Sequence, residues 1–176
     1  MVNDSLIVKT LLQGLRASKA SSGLDNISPR MLKDAAVVVA KALTRIVNES
    51  LSQGTVPSKW KYAKISPLYK KGMSTDMDNY RLISVLPVVS KVLERVVHHQ
   101  LHRFLSEHKL RSPFHGGFRR NHSTEFAAIA FSDYIRSGID IGLLTGAVFI
   151  DLRKAFDSVD HEIPISKLES YGLKDI

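Results

Sequence analysis

Cysteine is absent from the 176-residue chain, which removes disulfides and thiolate metal sites and is compatible with an intracellular setting. Long apolar runs are missing too: nothing approaches the roughly 20 residues that a membrane helix needs. The N-terminus lacks the charged, then apolar, then small order of a signal peptide. A soluble intracellular protein is the expectation. Acidic residues are in deficit, 17 against 25 Lys and Arg, which leaves a charge of +8 and a pI of about 9.8. That balance favours a polyanionic partner, of which nucleic acid is the commonest. The 7 histidines show no zinc-type spacing with a second ligand pair. His98, His99 and His102 read as a solvated helix face. No repeat, low-complexity tract or linker interrupts the chain, so one domain with room for two lobes is expected.

What is present is mostly helical pattern. Leu6, Ile7, Leu11, Leu12 and Leu15 predict an amphipathic helix within residues 5–20. Pro29 suits a first helical turn, and apolar positions from Met31 to Leu51 predict one long helix that stops at Gly54. Ile65, Leu68 and Tyr69 then predict a short strand with Pro67 at an edge, and Tyr80–Val85 predicts its return. Lys70, Lys71 and Gly72 open the turn between them. Such a hairpin, with Lys70 and Lys71 at its tip and Arg81 in its second strand, suits a grip on phosphates. The competing reading is a charged edge strand that discourages aggregation. Pro87 starts another helix, whose stripe runs from Val88 to Leu105. His108–His122 read as a loop in which Arg119 and Arg120 suit a backbone phosphate and Phe118 a stacking face, though a plain surface turn fits equally. Ser123 reads as the N-cap of the following helix.

The stretch Leu144–Asp160 carries the sharpest signal. Val148, Phe149 and Ile150 follow Gly146 and predict a buried strand, with Asp151 leaving its carboxyl end toward solvent or a ligand. That is a common place for metal or phosphate chemistry in α/β proteins. The alternative is that Asp151 caps a helical turn through Leu152–Phe156. A phosphoacceptor role is disfavoured, because Leu152 and Arg153 supply no second acidic group next to Asp151.

Taken together, three blocks resemble the reverse transcriptases of non-long-terminal-repeat, LINE-type retrotransposons. They are Asn79-Tyr80-Arg81-Leu82-Ile83-Ser84; Gly117-Phe118-Arg119 with His122-Ser123-Thr124; and Phe149-Ile150-Asp151-Leu152-Arg153-Lys154-Ala155-Phe156-Asp157 with Val159-Asp160-His161. The resemblance runs in the family's order from Gly23 to Gly172. It implies an α+β fold: the fingers and partial palm of a right-hand polymerase, helix-rich, with a short β-hairpin and one palm strand. Residues up to about 140 would be fingers and first palm helices, and residues 141–176 the first palm strand and its following helix. It implies that Asp151 ligates two Mg2+ (or Mn2+) ions, with the Leu152 carbonyl completing one shell. Lys70 or Lys71 and Arg81 would bind the triphosphate, Phe156 would be the aromatic gate under the incoming sugar, and Arg119 a template or nucleotide contact. Asp157 and His161 would serve structural hydrogen bonds. The implied partners are an RNA template, a DNA primer and deoxynucleoside triphosphates, with no membrane.

The family's second metal motif, an aromatic residue, any residue and two aspartates, does not occur in these 176 residues. The chain alone is therefore expected not to polymerise, and a non-catalytic nucleic-acid-binding relic is the alternative. Leu24 and Leu82 stand where the family usually has proline, and His115 where it has glutamine. Pro164 replaces an apolar helix residue, and is tolerable if it lies in a first turn.

Overall fold

In the computed structural model, which describes residues 5–16, 23–119, 121–152, 155, 156 and 158–173, the chain divides into two units, Met1–Phe104 and Leu105–Ile176. The first unit holds the core. Helix α1 (Ser5–Gln13) buries Val8, Leu12 and the Leu15 that follows it, residues three and four apart that share one helical face. Leu6 and Ile7, expected inside, are 58% and 49% exposed. The inward stripe is set by Val8, which the apolar pattern alone did not separate from its neighbours.

The single long helix expected after Pro29 is two. Helix α2 (Pro29–Asp34) starts with the Ser28 side chain accepting from the Met31 amide, and with Pro29 where no amide donor is needed. At Ala35 the backbone leaves helical geometry, and α3 (Ala36–Gln53) restarts. Alanine is the strongest helix former, so nothing in composition marks that break. As expected, Gly54 ends α3: its φ of 61° is the left-handed conformation that glycine adopts without penalty, and its amide bonds Ser50 O. Leu32, Ala36, Ala40 and Leu43 close on α1 and on Val88 and Val92, while Val47, Leu93 and Val96 form a second cluster. Trp60, in the short helix α4 (Ser58–Lys61), packs against both clusters.

The hairpin forms as expected. Strand β1 (Lys64–Tyr69) pairs antiparallel with β2 (Tyr80–Val85), in a register from Lys64 opposite Val85 to Tyr69 opposite Tyr80. Helix α5 (Val88–Glu107) follows, with Val88, Val92, Leu93 and Val96 buried. Val97, expected in its stripe, is 40% exposed, and Leu101, Phe104 and Leu105 are half-buried. Gly23 is buried against the link between β2 and α5, where a Cβ would lie 2.6 Å from Pro87 N. Helix-rich architecture with a two-stranded antiparallel sheet is therefore what the sequence led one to expect.

In the second unit, α6 (Thr124–Asp140) is capped by the Ser123 side chain, which accepts from the Phe126 amide. The Ser123 hydroxyl also hydrogen-bonds the Glu125 carboxylate and, with Glu125's own amide, holds its pKa below the ordinary carboxyl value. Helix α7 (Glu162–Ser170) begins two residues before Pro164, so the proline sits in the first turn, where its missing amide costs nothing. No described residue from Leu105 onward is fully buried.

The strand expected over Leu144–Asp151 is not there. This segment has no regular secondary structure, and Leu144, Val148, Phe149 and Ile150 are each more than 80% exposed. A strand exists only with a hydrogen-bonded neighbour, and among the described residues β1 and β2 pair with each other alone. The segment instead runs back along α6. The Leu143 amide bonds Gly138 O, Thr145 lies against Gly138, and Phe149 meets Phe131 edge-on at 5.6 Å.

Candidate nucleotide and nucleic-acid site

Directly opposed residues of an antiparallel pair share a face, and successive residues alternate. Arg81 lies opposite Leu68, so its face also carries Lys64, Ser66 and Ile83. The Lys70 amide bonds Asn79 O at 2.8 Å, which extends the same register one step. Lys70 is thus the diagonal neighbour of Arg81 on one face, within the roughly 7–8 Å over which long side chains meet. Both are exposed. Lys71 follows at the bend before Gly72, whose φ is 98°.

The tip that presents these cations is tied internally. Asn79 donates to Met73 O at 2.9 Å, and the Tyr80 hydroxyl donates to Ser74 O at 2.8 Å. The Tyr69 hydroxyl donates to Gly72 O, and the two tyrosine rings stack tilted at 5.6 Å. A Cβ on Gly72 would meet the Asn79 side chain at 2.6 Å. Sequence reasoning gave Asn79 and Tyr80 no role beyond a motif. The signal was available in the register, which sets Tyr69 across from Tyr80 and Gly72 near Asn79.

Arg119 is partly engaged by its own loop. Its Nη1 donates to Ser112 O at 3.2 Å and His115 O at 3.1 Å, so the guanidinium closes its own loop. Phe118 beside it adopts a φ of 55°, unusual for a bulky side chain, and its ring meets Phe156 edge-on at 6.1 Å. The Arg119 loop and Phe156 are therefore brought together. Phe118 and Phe156 are 91% and 77% exposed.

Asp151 and Leu152 are exposed. A carboxylate beside a backbone carbonyl fits Mg2+ in ligand type, since that ion takes oxygen donors and keeps several waters. The set is short in number, because among the described residues no three His, Asp or Glu side chains converge. Asp157 lies outside the described residues. His161 sits at the start of α7 and makes no side-chain cap; Asp160 does that work instead, accepting from the Glu162 amide at 3.0 Å. Lys70, Lys71 and Arg81 belong to the first unit, and Arg119, Asp151, Leu152 and Phe156 to the second.

Residues 68–176 match the reverse transcriptase (RNA-dependent DNA polymerase) family. Over 152 residues, 86% of this chain, it is 34% identical to the probable RNA-directed DNA polymerase from transposon BS of Drosophila melanogaster. It is 32% identical over 88% of its length to the RNA-directed DNA polymerase from mobile element jockey of the same fly. A putative 115 kDa protein in a type-1 retrotransposable element of Drosophila melanogaster is 28% identical over 90% of the chain. The chain spans 17%, 17% and 15% of the length of these three relatives. The matched segment takes in the hairpin cations, the Arg119 loop and Asp151, and the chain belongs to the reverse transcriptase family, among those of non-long-terminal-repeat retrotransposons.

Proposed function

We propose that this chain is part of an RNA-directed DNA polymerase of right-hand form, which extends a DNA primer with deoxynucleotides on an RNA template. The observation that carries the reading is the pairing of Lys70 and Arg81 on one exposed face of the hairpin, beside a tip held by Asn79, Tyr69 and Tyr80. A guanidinium and an ammonium so placed neutralise a triphosphate from one side, with Lys71 adding charge at the bend. Residues up to about 140 supply fingers and first palm helices in this reading, and the remainder supplies palm.

Asp151 and the Leu152 carbonyl are the residues that would hold Mg2+ or Mn2+. When bound, two such ions lower the pKa of a primer hydroxyl and offset charge on the leaving pyrophosphate. Phe156, braced by Phe118, supplies the flat wall against the incoming sugar that admits a deoxyribose. Arg119 holds its loop closed through Nη1 and keeps its remaining donors for a template or nucleotide phosphate.

Nucleotide affinity tests this. The chain is expected to bind a deoxynucleoside triphosphate, and Arg81→Gln to weaken it about tenfold, equivalent to about 1.4 kcal/mol. It is expected to extend no primer by itself. Triphosphate binding that ignores Lys70→Gln and Arg81→Gln alike would remove the hairpin from the site. Primer-template binding with no triphosphate binding would favour the non-catalytic reading.

A further inference from the structure

Of Lys70, Lys71 and Arg81, two owe their placement to the strand ladder. Arg81 lies within β2 opposite Leu68, and the Lys70 amide makes one more rung with Asn79 O at 2.8 Å. Lys71 comes one residue after that rung, at the start of the connection 71–78, where no ladder bond fixes the backbone. A connection of this length is ordinarily loose, and a lysine on it would have to be ordered at each binding event.

Here three successive carbonyls of the connection are caught by side chains at the strand ends. The Tyr69 hydroxyl donates to Gly72 O, the Asn79 side-chain amide to Met73 O at 2.9 Å and the Tyr80 hydroxyl to Ser74 O at 2.8 Å. Asn79 Nδ2 also reaches Asp76 Oδ2 at 3.4 Å, so the amide serves the connection twice. Turns inside the connection add to the hold: the Asp76 amide donates to Met73 O and the Asn79 amide to Asp76 O, each at 3.1 Å. Gly72, with a φ of 98°, lies so close to the Asn79 side chain that a Cβ would meet it at 2.6 Å. Lys71 therefore stands between a residue held by the ladder and one held by Tyr69 and Asn79. It is exposed, while Asn79 and Tyr80 are half-buried.

We propose that Asn79, Tyr69 and Tyr80 are positioning residues for Lys71. They hold the connection so that the Lys71 ammonium meets the phosphate chain of an incoming nucleoside triphosphate without a separate ordering step. This role presupposes that the hairpin is where the triphosphate binds. The two hydroxyls and the amide are spent on backbone carbonyls, so their effect on the ligand passes through the lysine that they place.

The test is the dATP affinity of the whole chain with Tyr69→Phe, Tyr80→Phe and Asn79→Ala, each alone and combined with Lys71→Gln. The phenylalanine variants keep the ring pair, whose centroids lie 5.6 Å apart, and remove one hydroxyl donor each. Each single change is expected to weaken binding about threefold, and Tyr80→Phe with Asn79→Ala about tenfold, close to Lys71→Gln alone. In the Lys71→Gln chain the same changes should cost less than about twofold, because residues that act through one shared group are not additive. In the Arg81→Gln chain they should keep their full effect. The urea midpoint read from Trp60, which packs on the helical core, should stay at the wild-type value throughout. Losses that persist undiminished in the Lys71→Gln chain would make the three residues merely structural and overturn the proposal. Wild-type affinity in the three variants, or a Lys71→Gln chain that binds as the wild type while Arg81→Gln is weakened, would overturn it as well. Affinity that ignores Lys71→Gln and Arg81→Gln alike is a different result, and removes the hairpin reading itself.

Discussion

Replacing Gly23 by alanine measures how firmly the β-hairpin is fastened to the helical core. A Cβ built on Gly23 lies 2.6 Å from Pro87 N, 2.8 Å from Pro87 Cα and 2.9 Å from Leu86 C. Ordinary non-bonded contact lies at about 3.5–4.0 Å, so the methyl group demands a shift of about 1 Å in backbone that is itself buried at Pro87. Val88 and Val92, directly beyond, are core residues with no room to follow. Overpacking of this kind costs about 1–3 kcal/mol. For a chain of this size each kcal/mol lowers Tm by about 2–4 °C. Trp60 is the single tryptophan and packs on both core clusters, so its fluorescence in urea reports the first unit directly. Gly54→Ala is the control: its Cβ meets nothing within 4 Å, and it should lose only what a left-handed φ of 61° costs alanine, about 1–2 kcal/mol. If Gly23→Ala unfolds at the wild-type urea midpoint, or costs less than Gly54→Ala, the contact between Gly23 and the β2–α5 link does not bear on stability.

Two other outcomes follow from local geometry. Leu12→Ala, at a fully buried position in α1, should cost about 2–5 kcal/mol, whereas Ile7→Ala, half exposed, should stay within about 1 kcal/mol; equal losses in urea melts would mean that α1 is rotated. The Glu125 carboxyl is held below its ordinary value of 4.5 by the Ser123 hydroxyl, so its contribution to α6 is present above the unfolded value and is lost as pH falls through the folded one. Helical circular dichroism should therefore drop below about pH 4.5 in the wild type and drop less in Glu125→Gln; identical acid profiles would deny the bond.

The two units use their cations differently. The hairpin of the first unit exposes Lys70, Lys71 and Arg81, while in the second unit Arg119 Nη1 is engaged by its own loop. Exposed cations speed and strengthen encounter with a polyanion. Neutralising Lys70 or Arg81 should therefore change the salt dependence of polyanion binding, and mutations at Arg119 should change loop order.

Much of this was determined by the amino-acid sequence alone. The glycine stop at Gly54, the Ser123 cap and the alternation through Tyr80–Val85 are local signals, each a matter of a few residues and their own backbone. Ordered motifs did the same for family membership, since Asn79–Ser84 and Phe149–Asp157 are chemical patterns that need no coordinates to be recognised. Tertiary structure decided the rest. Which apolar side of α1 turns inward depends on what α3 and α5 offer it, so Val8 displaced Leu6 and Ile7. Whether Val148–Ile150 become a strand depends on a neighbour to share ladder hydrogen bonds, and the described chain provides α6 in place of a sheet edge. The same run of side chains can enter a sheet or lie along a helix, because burial and pairing are properties of the surroundings and not of the residues that receive them.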